Sequence, residues 1–515
     1  MDRGELSAAM IQELGELFAQ ALGAAAPTLA RADLDGIERR LQAMGRQILG
    51  QVVEQVLAVR AALPREHPSC PACAGPLRLV AQARPRDLQG LVGDYTLRRP
   101  TYSCHGCGQG HAPLDAEVGL GAGALSPGLA RVVCRGGIED SFTDATDVLA
   151  ETLGVQIRSD LERRTTERMG AVAEAAQQAA IAALRRGQVP PAPEGAGAAL
   201  VVVEVDGVQV HLLDGWHEMK VGRVAPLGPG LRHHADAGRT HLALGPSVCC
   251  AGLETAEVFW YRVTAVAAGG GLGPATRTVV VLGDGADWIW QRAAPFVGAP
   301  GREVVEIVDI YHAYEHLWTV GNAVFGRDTL PARVWVERLK DRLYEEGVAP
   351  VLAALDALAP PTEAAAEEVR LARGYFTDHA ARMDYPAFVA RAFPVGSGAI
   401  ESMCKMLIEE REKGSGMRWS AQGAQAVATL RGLHRSGQWA TFWQQHPQRQ
   451  HLTLCPRVRS PRRALATPAQ EQGTAAAAPS APPPPASSVP PTPGSRRPAA
   501  DHPWRRQPIG RPRCA

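Results

Sequence analysis

The chain has 515 residues, of which 45% are hydrophobic and 21% charged, with 54 Lys and Arg against 53 Asp and Glu. That length gives about three to four domains, and the composition supports packed cores. A formal net charge of +1 excludes a uniformly basic DNA-coating protein but leaves room for local basic surfaces. No apolar run approaches the roughly 20 residues that span a bilayer, and the opening MDRGELSAAM lacks the apolar centre of a signal peptide. A soluble, cytoplasmic protein with no membrane partner is expected.

Residues 1–66 form an N-terminal helical region, helical throughout 5–63. From Asp33 onward Ile37, Leu41, Met44, Ile48, Val52 and Val56 recur at three- and four-residue steps, one face of a long amphipathic helix that Pro64 closes. Such a face packs on its own protein or serves self-association.

Residues 67–118 carry two CxxC pairs, Cys70/Cys73 and Cys104/Cys107, out of 10 cysteines. In a cytosolic chain this spacing indicates metal ligation rather than disulfides. Strands around Leu77, Leu79 and Val80, then Leu91, Val92, Tyr95 and Leu97, bring the two turns together. Four thiolates make a structural Zn²⁺ site with no open coordination position. His67, His105 and His111 lie nearby but are not needed. Cys134, Cys249, Cys250, Cys404, Cys455 and Cys514 show no such pattern and are expected to be buried or incidental thiols.

Residues 119–187 return to helix. Ser126–Pro127 opens one, and residues 141–153 form a second that ends at Gly154. The turn Val155–Gln156–Ile157 leads to a third, with Ser159 as its expected N-cap and Arg158, Arg163, Arg164 and Arg168 along it. This is helix-turn-helix grammar, with the arginines as DNA-binding candidates, although a purely structural helix pair has the same pattern.

Residues 188–198 read as a Pro/Gly/Ala linker. Beyond it the pattern becomes strands alternating with helices. Strands are expected at 199–205, at 208–213 after a turn at Asp206–Gly207, at 218–224, at 278–282 and at 303–308. A helix is expected near 255–264, another after Gly283–Asp284–Gly285, and a third from Tyr311. The order β-β-β-α-β-α-β-α describes a mixed α/β sheet over 199–435, interrupted by helices at about 318–392. Residues 456–515, with ten Arg and two acids, form a Pro/Ala/Arg-rich tail expected to be disordered, with weak affinity for polyanions.

Three acids stand where an α/β sheet presents ligands: Asp206 at the end of the first buried strand, Asp284 just past the fourth, and Glu401 at the start of a helix after Gly396–Ser397–Gly398. Converging carboxylates repel unless cations join them, and hard ions such as Mg²⁺ take such oxygens. Two such ions (Mg²⁺, or Mn²⁺) clamp the attacking and leaving oxygens of phosphoryl transfer. Each acid also has an ordinary structural role: a hairpin turn for Asp206, a helix cap for Asp284, and a favourable helix N-terminus for Glu401. Asp214, Asp287 and Asp309 are nearby alternatives. His312 and His316 lie at i, i+4, but the order is not the HExxH of a zinc protease.

The blocks VEVDGVQV, VLGDGADWIW, DIYHAYEHLW and PVGSGAIESMCKMLIEEREKGSGMRWS resemble the signatures of ISKra-type bacterial insertion-sequence transposases. The CxxC pairs and SPGLARVVCRGGIEDSFTDATDVLAETLG resemble that family's zinc-ribbon and helical DNA-binding regions. The likeness runs from about Cys70 to His434. It implies a multidomain α/β protein with a ribonuclease-H-like catalytic domain, Asp206, Asp284 and Glu401 as a DDE triad, and the helices of 318–392 as an insertion before the last acid. Asp309 and His312 resemble the supporting D-x2-H element of related enzymes.

The expected function is a DDE transposase that binds double-stranded DNA at the ends of its element, cleaves it and transfers the strand to target DNA. It would act as a homo-oligomer on the nucleoid. Lys405, Arg411, Lys413, Arg418 and Trp419 are expected to hold phosphates and bases, or else to form an exposed helix face. The alternatives are a structure-specific nuclease or resolvase on the same fold, and a catalytically dead zinc-dependent DNA-binding protein.

Overall fold

Asp33 divides the N-terminal segment into two helices, α1 (Ala8–Leu29) and α2 (Leu34–Ala62). Its carboxylate accepts from the Gly36 amide at 3.0 Å, the N-cap bond that starts a new helix. The computed structural model describes residues 8–63, 69–188, 196–227 and 246–449, and the backbone of 234–236 and 239–241. Pro64, His67, most of the 188–198 linker, Cys455, Cys514 and the 456–515 tail lie outside the described residues.

Helix α2 packs on its own protein. Glu54 accepts from the Thr96 amide at 3.0 Å, and Arg46 donates to the Leu91 carbonyl at 2.9 Å. A Cβ on Gly50 would stand 2.4 Å from the Asp94 carbonyl oxygen, so only glycine lets helix and hairpin meet backbone to backbone. The hairpin is β1 (Leu77–Gln89) against β2 (Asp94–Cys104), with β3 (Gly110–His111) beside β2. Leu91 and Val92, expected in a strand, instead form its turn.

Four helices come next: α3 (Pro113–Glu117), α4 (Pro127–Glu139), α5 (Phe142–Leu153) and α6 (Ser159–Arg185). Helix α4 opens at Ser126–Pro127 and α5 ends at Gly154, φ 63°, as expected, while Ser141, expected as the first residue of the second helix, is its N-cap. The cap of α6 is Arg158, with no side-chain bond, and Ser159 is already helical. Helix α6 packs directly on residues from beyond the linker. A Cβ on Gly170 would lie 2.3 Å from the Ala426 carbonyl oxygen, and the fully buried Arg262 binds Glu174 at 2.6 Å.

The main sheet holds five strands in the order β10-β9-β4-β5-β8. These are β4 (Leu200–Leu212), β5 (Gly215–Pro226), β8 (Val248–Gly252), β9 (Thr278–Gly283) and β10 (Glu303–Val308). The short strands β6 (His234–Asp236) and β7 (Arg239–His241) pair with each other apart from it. Pairs β4–β5 and β5–β8 are antiparallel, whereas β4–β9 and β9–β10 are parallel. The expected string of strands and helices is present, but from different segments. Residues 199–205 and 208–213 are one strand, because Asp206–Gly207 continues β4 in pairing with Val221 and Lys220. The turn falls at Leu213–Asp214–Gly215, a second Asp–Gly, where Gly215 has φ 134°. Strand β8, absent from the expectation, supplies the third antiparallel strand.

Helices α7 (Ala256–Ala267), α8 (Asp287–Val297) and α9 (Ile310–Phe325) connect and cover the sheet. The helices α10 (Leu330–Glu346), α11 (Ala349–Asp356), α12 (Glu363–Asp378) and α13 (Tyr385–Ala390) fill the stretch expected to be helical and share one apolar core with that face. The chain then returns through α14 (Gly398–Cys404), a π-helical segment (Lys405–Glu409), α15 (Glu410–Glu412), α16 (Ala421–Arg435) and α17 (Trp439–Arg449). These helices cover the outer half of β4 and β5. No described helix is long and apolar enough to cross a membrane.

Candidate active site and cysteine cluster

The parallel registers place three acids level. Glu204 pairs with Leu282, and Gly283 pairs with Val308. Asp206, midway along β4 where its pairing with β9 has ended, therefore comes side by side with Asp284 and Asp309, just past the carboxyl ends of β9 and β10, the edge where such sheets bind ligands.

Their environments differ. Asp206 Oδ1 accepts from the Gly207 amide at 2.7 Å, and the Cys404 thiol lies 3.6 Å from its Oδ2. Burial raises the Asp206 pKa, and the charges of Asp284 and Glu401 push it further in the same direction. Asp284 Oδ1 accepts from the Ala286 amide at 2.9 Å. Its turn is clamped from α12: Tyr375 donates to the Asp284 carbonyl at 3.4 Å. Gly285, at φ 104°, leaves its Cβ space to the Tyr375 ring, 3.0 Å away.

Glu401 is exposed, on the first turn of α14, and its Oε1 is 2.7 Å from Ser397 Oγ. Ser397 Oγ also meets Asp309 Oδ2 at 2.8 Å. Asp309 caps α9, accepting from the Tyr311 and His312 amides at 3.2 and 3.1 Å, and from the Ser397 amide at 2.9 Å. Protein donors thus occupy Asp309, which makes it a support that ties the Glu401 turn to the sheet.

Asp206 and Glu401 open into one cleft of about 710 Å³, bordered by Gln209, Cys404, Lys405, Glu409 and Lys413. Asp287 is exposed at the first residue of α8, and Asp214 sits at the distant β4–β5 turn. The acids are spaced more widely than a preformed metal group, since among the described residues only four cysteines come within 4.8 Å of one another. The acids offer oxygen donors from three elements, the donor type a hard cation takes, and the charges of Asp284 and Glu401 weigh on half-buried Asp206.

Cys404 is buried, as one of the two expectations for it had it, but its contact was not foreseen, and Ser397 was not singled out. The first touches Asp206 and the second bridges Asp309 and Glu401. Cys404 lies three residues beyond Glu401, on the same helix face, which is the signal that could have found it. His312 Nδ1 is 3.4 Å from Glu315, and its ring centre lies 5.3 Å from that of His316 and 6.1 Å from that of Tyr375. His316 stacks on Tyr375 at 3.8 Å, and burial holds its pKa down to about 4.

Cys70, Cys73, Cys104 and Cys107 form the expected cluster, which could hold a structural metal such as zinc. Cys70 Sγ stands 3.6 Å from Cys107 Sγ, and Cys73 Sγ stands 3.4 Å from Cys104 Sγ. The two loops match: Ala74 N–H returns to the Cys70 carbonyl at 2.8 Å, and Gly108 N–H to that of Cys104 at 3.0 Å. Both residues after the second cysteine are left-handed, Ala74 at φ 54° and Gly108 at φ 67°. The Cys107 amide draws the Cys104 thiol down to about 6, whereas, against the pull of the Gln109 amide, desolvation and the neighbouring cysteines push the Cys107 thiol up to about 12, so only part of the set moves toward the thiolate that binds metal. His111 Nε2 stands 3.2 Å from Cys70 Sγ, close enough to orient that sulfur from outside the set of four.

Among the basic candidates, Arg158, Arg163, Arg164 and Arg168 are exposed on α6, as are Lys405, Lys413 and Arg418 near the cleft. Asp160 pairs with Arg158 and Arg164, and Glu167 with Arg163. Arg411 and Trp419 correct the expectation, being 2% and 7% exposed. The Arg411 guanidinium lies between the Phe142 and Trp419 rings, 4.5 and 4.8 Å from their centres, and its Nε donates to the Gly137 carbonyl at 2.9 Å. It fastens the α4–α5 corner to the helices behind the cleft and is not placed to touch DNA.

Beside it, Glu162 of α6 is fully buried, and neither carboxylate oxygen has a hydrogen-bond partner among the described residues. Burial pushes Glu162 up to about 8, with Arg411 opposing and Asp140 adding to the rise. From its ordinary pKa to about 8 the folded chain holds a proton that the unfolded chain has released, so this group's contribution to stability falls as pH rises through that window. Glu162→Gln should therefore raise the melting temperature by about 3 °C at pH 8 and leave it nearly unchanged at pH 5. Calorimetry at the two pH values checks this, and an equal shift at both would refute it.

Compared with family models and with curated proteins, the chain matches none.

Proposed function

We propose that this chain is a DNA transposase with a ribonuclease-H-like catalytic domain, which binds the ends of its element, cuts them and joins the freed 3′ end to target DNA. The observation that carries this reading is the alignment of Asp206 and Asp284 on adjacent parallel strands, with Glu401 brought to the same cleft by α14. The mixed sheet, the helical insertion before Glu401 and the resemblance of the surrounding sequence blocks to insertion-sequence transposases support it. Asp206, Asp284 and Glu401 would hold Mg²⁺ or Mn²⁺, which supplies a deprotonated water and stabilises the departing oxygen. Tyr375 and Ser397 keep two of these acids in place. Lys405 and Lys413 border the cleft as cations for the DNA backbone, and Arg418 is exposed close by in sequence. The reaction needs no nucleophilic side chain.

Exposed Arg158, Arg163, Arg164 and Arg168 would meet double-stranded DNA outside the cleft. Replacing all four by Gln should weaken duplex binding and flatten its salt dependence, by about 0.9 in slope for each phosphate no longer neutralised. A gel-shift titration with unchanged affinity and slope would remove α6 from the interface.

The reading is tested with the DNA that flanks the gene. Inverted repeats bracketing it, cut by the full chain in Mg²⁺ and then joined to a plasmid, are the expected result. Cutting without joining indicates a nuclease or resolvase. Binding without cutting under any metal indicates a DNA-binding protein with a dead centre.

A further inference from the structure

Strand β4 pairs with β9 only as far as Glu204, but with β5 as far as Leu212. Strand β5 keeps β8 as its neighbour as far as Lys220, opposite Gly207, so from Val208 outward β4 and β5 leave the sheet as a two-stranded ribbon. Its two faces are unlike, as strand alternation requires. Val208, Val210 and Leu212 pack against Ile400, Leu407 and Trp419. Gly207, Gln209 and His211 face the other way, opposite Lys220, Glu218 and Trp216.

Trp216 is 62% exposed, the one exposed tryptophan among the described residues. Its ring lies flat on His211, with centres 4.7 Å apart and planes 9° from parallel. One face of the indole is thus covered and its position set, while much of the side chain remains in water. The tip that carries it is anchored: the Leu213 amide donates to the Trp419 carbonyl at 2.9 Å, and the Trp419 amide to the His211 carbonyl at 3.1 Å. A large aromatic ring held rigidly in solvent contributes little to folding and is suited to stacking.

We propose that Trp216, backed by His211, is a platform on which an unpaired nucleobase of the bound DNA stacks. The inference rests on the DNA-cleaving function proposed above. Continuity with the cleft points to this occupant, because Gln209 lines the cleft next to Asp206 and is also His211's neighbour on the solvent face of the ribbon. Lys405 and Lys413 border the same cleft, giving the strand phosphates cationic partners. A strand rises about 3.3 Å per residue, so the platform stands roughly 17 Å from Asp206. The platform is on the ribbon face opposite Asp206, so a strand that leaves the cleft past Gln209 and rounds to that face, advancing about 3.4 Å per nucleotide, meets it at least about five nucleotides from the phosphate that is cut. The base must be unpaired, since a paired base has its faces occupied by its neighbours in the stack.

The test uses the full chain with two otherwise identical duplexes, one fully paired and one with a single unpaired 2-aminopurine about five nucleotides from its end. The wild type should prefer the second by about tenfold, the range of base–aromatic stacking, and should quench its fluorescence. Trp216→Ala should lose both preference and quenching, and Trp216→Phe, which keeps a flat ring, should retain most of each. Preference and quenching that persist in Trp216→Ala overturn the proposal. A wild type that cuts DNA in Mg²⁺ but shows neither effect overturns the platform alone. A wild type that neither binds nor cuts DNA overturns the proposed function, and the platform with it.

Discussion

Asp206→Asn, Asp284→Asn and Glu401→Gln are each expected to reduce Mg²⁺-dependent DNA cleavage by about a thousandfold or more. Each change keeps the shape of the side chain and removes the charge that would hold a cation. The three losses should not add, because ligands of one centre act as a unit. Asp287→Asn is the control. Asp287 is exposed at the start of α8, whereas Asp284 lies level with Asp206 by strand register, so Asp287→Asn should cleave normally. The inverse result, with Asp287 essential and Asp284 dispensable, would show that the register argument picks the wrong acid. Duplex binding should survive in all four variants, since on the proposed reading the exposed arginines at and along α6 would supply it. Normal cleavage by all three acid variants would place phosphoryl transfer elsewhere and end the catalytic reading.

The acids were legible in the sequence because a buried strand is a run of apolar residues, and the first polar residue after it marks an edge. Val279–Leu282 has that form, and Val201–Val205 has it except for Glu204, a buried charge paired with Arg223. What the sequence misled on was local. Asp206–Gly207 has the composition of a hairpin turn, yet here it continues a strand, because the residues beyond it gain more from a second core. Val208, Val210 and Leu212 are buried under α14 to α16, and a turn at Asp206 would have lost that burial. Strand β8 escaped for a related reason. Val248–Gly252 is five residues long and buried throughout, so it has no alternation to show.

The same limit explains Arg411 and Trp419. Their spacing and charge suit an exposed DNA-binding face, and nothing local says that α4 and α5 cover them. Burial by a segment about 270 residues away in sequence leaves no periodic trace. Ser397 and Tyr375 were hidden in the same way. Each acts on an acid through a tertiary contact, Ser397 across 88 residues to Asp309 and Tyr375 across 91 residues to Asp284. The glycines beside the acids were a better guide. Gly285 has the left-handed φ that its residue type suggested, and its missing Cβ is what admits the Tyr375 ring.

Removing the metal from the cysteine cluster should release one end of the β1–β2 hairpin and leave the other in place. The two ends are held differently. Leu88 and Leu97 are buried with Leu114 and Leu120 near α2. At the cysteine end, Leu79 and Val80 are 46% and 58% exposed. The ends lie about 35 Å apart at roughly 3.3 Å per residue, too far for the apolar cluster to hold the loops. Four thiolates around Zn²⁺ would do so, and structural zinc contributes on the order of 10 kcal/mol to such small folds. Cys104→Ser, or prolonged chelation, should therefore expose the Arg78–Leu79 bond to trypsin while Arg46, donating to the hairpin turn, stays protected. The main sheet should melt at an unchanged temperature. Limited proteolysis read by mass spectrometry, with zinc measured on the same samples, checks each part. One bound zinc in the wild type and none in Cys104→Ser is the expected pairing, and identical digestion of the two would mean that the loops stand without metal.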